Sequence, residues 1–116
     1  MKTTLLSLLS ISGLLFTNLC FADPAKKATS IYADDTHQTN PTIVITGRII
    51  IVSLHQIHGS ISGSRGVIDG VELRGTGGVY DFSENGRYKI EPGTYTIFVK
   101  GTIYGGGKIE ATIKYD

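Results

Sequence analysis

Three histidines are the first residues of this sequence whose type and spacing suggest chemistry. His55 and His58 form a His-x-x-His pair, and His37 lies further upstream. Residues three apart on a β-strand point to opposite faces, so the pair could share a zinc ion only if the strand ended between them. We therefore predict exposed loop histidines and no metal site.

The other residue types that perform catalysis lack a supporting arrangement. No serine lies in a nucleophile-elbow motif, and the one cysteine, Cys20, falls in a segment expected to be removed. The neighbouring Asp34 and Asp35 lie in a polar stretch that would not hold two carboxylates in a fixed geometry. Glycine runs at 75–78 and 105–107 lack the lysine and the following helix of a phosphate loop. The sequence therefore predicts no catalytic residue, no cofactor and no enzyme.

Aromatic side chains indicate binding instead. Phe98 falls on the expected outer side of a strand, and exposed Tyr and Phe rings can anchor a partner protein or stack on a sugar. Residues 49–52 are apolar on both alternating faces, so a loop, a neighbouring strand or a second chain must cover one side. The predicted partner-binding residues are Phe98, Tyr104, Tyr80 and Ile50.

The first 22 residues have the organisation of a signal peptide. Lys2 is followed by an apolar run from Leu5 to Leu19, and Cys20 and Ala22 place small residues where a signal peptidase reads the chain. The run of about 15 residues is short of the roughly 20 that span a bilayer. We predict cleavage before Asp23 and an extracytoplasmic protein, periplasmic or secreted, with no stable membrane insertion.

Removing 22 of the 116 residues leaves 94, which is enough for one domain, and leaves no cysteine. Ten basic and ten acidic residues then remain, since Lys2 is one of the 11 Lys and Arg of the whole chain. The net charge is zero and the sequence shows no basic run. These features argue against a nucleic-acid partner and against binding to anionic membranes.

Strand signals dominate the rest of the chain. Residues 23–41 are polar with almost no apolar periodicity and are expected to form a flexible tether. The alternative is that Ile31 and Tyr32 dock on the domain or form a short edge strand. Residues 42–57 are rich in Ile and Val and predict two strands, or one strand bent near Gly47, while Asp69 and Gly70 suggest a bulge. The last strand alternates most clearly, with Ile109, Ala111, Ile113 and Tyr115 on one face.

Two turn motifs organise the middle of the domain. Asn85 and Gly86 are typical of a two-residue β-hairpin, because both tolerate a positive φ. Pro92 and Gly93 precede Tyr95 in the arrangement of a tyrosine corner, where the phenol bonds back to upstream backbone as the chain passes between two sheets. We expect Tyr95 to be buried.

Several of these segments together resemble a known family. Residues 47–49, 67–73, 81–88 and 92–97 are similar to the opening strand, second strand, hairpin and Pro-Gly-x-Tyr corner of the carboxypeptidase regulatory-like, prealbumin-like (transthyretin-like) β-sandwich modules. The loop at 58–66 is longer than usual, and Tyr80 replaces a common threonine. The resemblance implies a non-catalytic accessory module. The 5-hydroxyisourate-hydrolysing branch ends differently from Ile113-Lys114-Tyr115-Asp116, so that activity is not expected.

These observations predict an all-β fold. We expect an antiparallel Greek-key β-sandwich of six to eight strands over residues 42–116, preceded by the cleaved signal peptide 1–22 and the polar tether 23–41. The expected function is an exported accessory module that binds a protein partner or has a structural or adhesive role in the cell envelope. A carbohydrate-binding module is the alternative.

Overall fold

The computed structural model describes residues 23–34 and 37–116, and there every regular element is a β-strand. The predicted signal peptide lies outside the described residues. The strands, in chain order, are β1 (Lys26–Asp34), β2 (His37–Thr39), β3 (Thr42–Ile45), β4 (Ile49–Ile57), β5 (Arg65–Gly75), β6 (Gly78–Phe82), β7 (Gly86–Lys89), β8 (Gly93–Tyr104) and β9 (Lys108–Tyr115). No helix in this part of the chain is long and apolar enough to span a membrane.

The strands form two antiparallel sheets packed face to face. One sheet has five strands in the order β2-β1-β9-β4-β7, and the other has four in the order β3-β8-β5-β6. The all-β sandwich class predicted from the sequence is confirmed. Its nine described strands exceed the predicted six to eight because β1 and β2 come from the supposed tether.

The core lies between the sheets and follows the alternation of each strand. Ile109, Ala111 and Ile113 of β9 are fully buried, as their spacing predicts. Ile97 of β8 and Leu73 of β5 face them from the other sheet and are equally buried. With no cysteine among the described residues, burial of this apolar surface and backbone pairing hold the fold together.

The prediction of a flexible tether is wrong. β1 pairs with β9 along its length, from Lys26 opposite Tyr115 to Tyr32 opposite Ile109. The inward residues of β1 include Ala28 and the fully buried Ser30, which are small or polar. Tyr32, further along the strand, also packs against the core. Since small or polar residues interrupt the inward positions, the strand lacks a continuous apolar stripe, and hydropathy did not reveal it.

The predicted Asn85-Gly86 hairpin is also wrong. β6 pairs with β5 in the four-stranded sheet, whereas β7 pairs with β4 in the five-stranded sheet. Gly86 is not among the described glycines with a positive φ. The Asn85 side chain instead accepts a hydrogen bond from the Leu54 backbone N–H at 2.7 Å, which fixes the start of β7 beside β4. The described hairpins are β1-β2 and β5-β6.

Other local predictions are confirmed. Residues 42–57 form two strands, β3 and β4, which belong to different sheets. The register of β5 against β8 shifts between Ile68 and Gly70, at the predicted bulge. An alanine Cβ at position 70 would approach the Phe82 carbonyl oxygen to 2.5 Å, so the close passage of β6 requires glycine there.

Side-chain hydrogen bonds connect the two sheets where backbone groups have no partner in a neighbouring strand. The Ser30 hydroxyl accepts a hydrogen bond from the Val99 N–H at 2.9 Å and donates one to the Asn40 side chain at 3.2 Å. Gln56 accepts from the Ile68 N–H at 2.8 Å. The contacts of Ser30 with Val99 and of Gln56 with Ile68 each join a side chain of the five-stranded sheet to a backbone donor of the other sheet. These contacts satisfy backbone groups that would otherwise be unpaired between the layers.

Candidate functional site

The predicted tyrosine corner is present and forms the structural centre of the molecule. Tyr95 is fully buried, and its hydroxyl donates a hydrogen bond to the Glu91 carbonyl oxygen at 2.5 Å. Pro92 lies in the connection that takes the chain from β7 in one sheet to β8 in the other. The hydrogen bond ties this crossing to the core side of β8.

A second corner of the same design precedes it. The Tyr88 hydroxyl donates to the Glu84 carbonyl oxygen at 2.6 Å, again four residues upstream, where the chain crosses from β6 to β7. The two corners are a tandem repeat in the sequence, Glu-x-Gly-x-Tyr-x-Ile at 84–90 and at 91–97. The sequence analysis missed this repeat. It indicates that residues 84–90 cross between the sheets in the same way as residues 91–97.

Aromatic rings connect the two corners through the sandwich. Phe82 lies 4.3 Å from Tyr88 and 6.2 Å from Tyr80, measured between ring centroids. Tyr80 meets Tyr95 edge to face at 5.9 Å. Such geometries add about 0.5–1.5 kcal/mol per pair to the burial of the rings. This row of four rings therefore stabilises the end of the sandwich where the chain crosses twice.

Tyr80, one of the predicted partner-binding residues, belongs to this row. Its ring is half-buried, and its hydroxyl accepts a hydrogen bond from the Glu91 N–H at 3.1 Å. It also borders an open depression of about 500 Å³. The residues that line the depression are Arg48, Ile49, Tyr80, Lys89, Ile90 and Glu91. Arg48 and Glu91 form an exposed ion pair at 3.2 Å, which contributes little to stability.

The environment of the corner changes the acidity of Tyr95. Burial raises the pKa of its hydroxyl above the ordinary value of 10.0, and the neighbouring Tyr80 and Glu91 raise it further. The hydroxyl therefore stays protonated, as a donor to the Glu91 carbonyl must.

Alkaline pH is expected to destabilise the fold through this group. Above pH 10.0 the unfolded chain loses the Tyr95 proton while the folded chain keeps it. The free energy of unfolding should then fall by up to about 1.4 kcal/mol per pH unit until the folded-state pKa is passed. Urea denaturation at a series of alkaline pH values measures this slope. Tyr95→Phe, which cannot ionise, should show a smaller slope, and equal slopes would contradict the assignment.

Phe98 and Tyr104 lie on the outer face of the four-stranded sheet, as predicted for Phe98. Both belong to β8 and are six residues apart, so the rings are about 20 Å from each other along the strand. The Arg74 guanidinium lies 5.1 Å from the centre of the Phe98 ring, and the Arg65 guanidinium lies 4.8 Å from the centre of the Tyr104 ring. An arginine guanidinium therefore lies over each of these two rings.

The four predicted partner-binding residues do not form one site. Phe98 and Tyr104 share a face, Tyr80 packs at the corner, and Ile50 is fully buried in the core. The prediction that Ile50 meets a partner is wrong, because the alternation of β4 turns Ile50 and Val52 inward. Ile49 and Ile51 take the outer face and are half-buried.

Three valines that the sequence analysis missed lie on the same outer face of the four-stranded sheet as Phe98. Val44 of β3 and Val79 of β6 are 58 % and 59 % exposed, and Val67 of β5 is 38 % exposed. Their registers against Thr94, Arg74 and Thr102 place them on the same side as Phe98. The alternation of each strand could have identified them, because residues next to inward positions such as Tyr95 and Leu73 point outward.

The three histidines are exposed, as predicted, but His37 and His55 lie on strands β2 and β4 and not in loops. His55 lies on the outer face of β4 opposite Glu110, and His58 is exposed in the following loop. Among the residues that the structure describes, no group of three or more His, Cys, Asp or Glu side chains could hold a metal ion.

Comparisons with known proteins assign no family to this arrangement. No protein-family model matches the chain, and searches of curated proteins and of solved structures also find no match.

Proposed function

We propose that this protein is an exported, non-catalytic β-sandwich accessory module that binds a protein partner in the cell envelope. The contact surface in this proposal is the outer face of the four-stranded sheet. The proposal includes the cleavage of residues 1–22, a Greek-key connectivity and kinship with the carboxypeptidase regulatory-like modules. The two consecutive tyrosine corners support that connectivity, since each ties a crossing between sheets.

One observation carries the proposal. Phe98 and Tyr104, each paired with an arginine, share the outer face of the four-stranded sheet with exposed valines at positions 44, 67 and 79. Tyr and Arg side chains are enriched among the residues that dominate binding energy at protein interfaces. Exposed apolar groups on a sheet face are typical of interaction surfaces. A protein partner can bury all of these groups together.

The carbohydrate-binding alternative has less support. A sugar ring would need to stack on an open aromatic face, and a guanidinium already lies over each of Phe98 and Tyr104. The two rings are also too far apart to hold a single sugar unit.

Site-specific photocrosslinking in the strain of origin tests the proposal. A benzophenone amino acid at position 98 should yield an adduct with one defined protein, and the same residue at position 112 should not, because Thr112 faces out from the other sheet. Val44→Asp adds a charge to the exposed end of the surface and should reduce the adduct about tenfold. The absence of an adduct at 98, or the same adduct at 98 and 112, would overturn the proposal.

A further inference from the structure

The fold separates charges that the sequence mixes. On the outer face of the five-stranded sheet, alternation and register place five cations, Lys27, Arg87, Lys89, Lys108 and Lys114. Among the strand residues whose side chains the structure describes, Glu110 is the only acidic one on this face. On the other outer face, Arg74 pairs with Glu72 at 3.0 Å and Lys100 pairs with Asp81 at 3.1 Å. The positive charge of a chain with balanced composition is therefore concentrated on one side.

Two of these cations are direct neighbours. Lys27 and Lys114 are cross-strand partners in the β1-β9 pair, and like charges placed opposite each other are destabilising. Neither lysine forms an ion pair with any described residue, and the same holds for Lys89. A pair of repelling lysines costs stability, and a bound anion would remove that cost.

The cations form a row across adjacent strands. Ile51 of β4 is the register partner of Lys114 on one side and of Arg87 on the other. The row from Lys27 to Arg87 therefore crosses four strands and spans about 14 Å. Lys89 lies beside Ile49 on the same face. Lys108, the fifth cation on this side, forms an ion pair with Glu110 at 3.2 Å. We call the other four cations, Lys27, Arg87, Lys89 and Lys114, the lysine face.

Carboxylates near this face neutralise only part of it. Asp23 forms an exposed ion pair with Arg87 at 2.8 Å. The Asp116 side chain accepts a hydrogen bond from the Ala25 N–H at 2.9 Å, close to the end of β9. Positive charge still exceeds negative charge on the lysine face.

Hydroxyl groups continue the face beside the cations. The side-chain oxygens of Thr29 and Thr112 lie 3.0 Å apart, and Ser53 is the register partner of Thr112. Each hydroxyl can both donate and accept a hydrogen bond. A ligand that carries hydroxyls as well as negative charges would find complements to both in adjacent rows.

We propose that the lysine face binds an acidic polysaccharide, with the lysines on its carboxylate or sulfate groups and the row of Ser and Thr on its sugar hydroxyls. Single-stranded nucleic acid is less favoured, because stacking platforms need aromatic rings and none of the described Tyr or Phe residues lies on this face. A membrane is less favoured, because Ile49 and Ile51 on this face are half-buried between neighbouring side chains. The large apolar residues that are exposed lie elsewhere, at Val44, Ile61, Val67, Val79 and Tyr104. This surface is opposite the proposed protein-binding face, so the two proposals fail independently.

Binding of the purified protein to heparin and to polygalacturonate, with neutral dextran as the comparison, tests the proposal. We expect binding to both acidic polymers that weakens as salt is raised, and none to dextran. The variant Lys27→Gln/Lys114→Gln should raise Kd about tenfold, since it removes two charge contacts to the ligand. It relieves a repulsion and should fold at least as well, with a melting temperature higher by about 2 °C.

A matched variant distinguishes this surface from net charge alone. Arg65→Gln/Lys100→Gln removes two cations from the other outer face and should leave Kd within about twofold of the unmodified protein. Equal weakening by both variants, or no binding to either acidic polymer, would overturn the proposal. Equal or tighter binding of polyuridylate, or of phosphatidylglycerol vesicles, would overturn the assignment to a polysaccharide.

Discussion

Replacing Tyr95 with alanine is expected to lower the free energy of unfolding by about 3–5 kcal/mol, because it empties the space of a fully buried aromatic ring and removes the corner hydrogen bond. That is a large part of the roughly 5–15 kcal/mol of a typical small domain. Tyr95→Phe keeps the ring and removes only the donor to the Glu91 carbonyl, so it should cost about 1–3 kcal/mol. Urea denaturation followed by circular dichroism measures both differences.

Tyr104 is the matched control for this comparison. It lies on the same strand, is 44 % exposed and has the Arg65 guanidinium over its ring. Tyr104→Ala should cost no more than about 1 kcal/mol. If Tyr95→Phe were as stable as the unmodified protein, the corner hydrogen bond would have no role in holding the crossing.

Gly77→Ala is expected to be the other strongly destabilising change. A Cβ at position 77 would overlap the Tyr95 hydroxyl oxygen and would approach the Glu91 carbonyl oxygen to 3.0 Å. The β5-β6 turn and the corner would have to move apart, at a cost of about 1–3 kcal/mol for overpacking and up to about as much again if the corner hydrogen bond breaks.

The clash predicts coupling between Gly77 and Tyr95. In the Tyr95→Phe background the hydroxyl is absent, so Gly77→Ala should cost less there by about 1 kcal/mol or more. Gly86→Ala is the control, because its added Cβ would lie at an ordinary 3.4 Å from the Tyr88 ring. We expect that variant to stay within about 0.5 kcal/mol of the unmodified protein. Additive effects of the two changes at positions 77 and 95 would contradict the clash.

Much of the fold could be predicted where one local rule decides the outcome. The inward set of β9 follows from strict alternation, and the two strands in residues 42–57 follow from β-branched residues on either side of Gly47. The buried Tyr95 follows from a Pro-Gly bend ahead of a strand. In each case the physical signal is contained within a dozen neighbouring residues.

The errors arise where the deciding partner is distant in sequence. Asn85 and Gly86 have hairpin chemistry, but the Asn85 side chain bonds to Leu54, 31 residues away. Ser30 is a polar residue in a polar stretch, yet the Val99 N–H, 69 residues away, gives it a buried partner. The repeat at 84–97 indicates that the chain crosses between sheets, but the backbone groups that Asn85 and Ser30 contact depend on which distant strands pair.

The sequence alone indicated only part of the two candidate binding surfaces. It determined that Phe98 points away from the core, since Ile97 and Val99 point into it. It determined the total charge and placed Glu72 two residues from Arg74 on one strand. Strand order in the tertiary structure decided that Lys27 and Lys114 become neighbours and that Lys100 meets Asp81. Composition fixes how much charge and apolar surface a chain carries. Only the pairing of distant strands decides on which face each of them is concentrated.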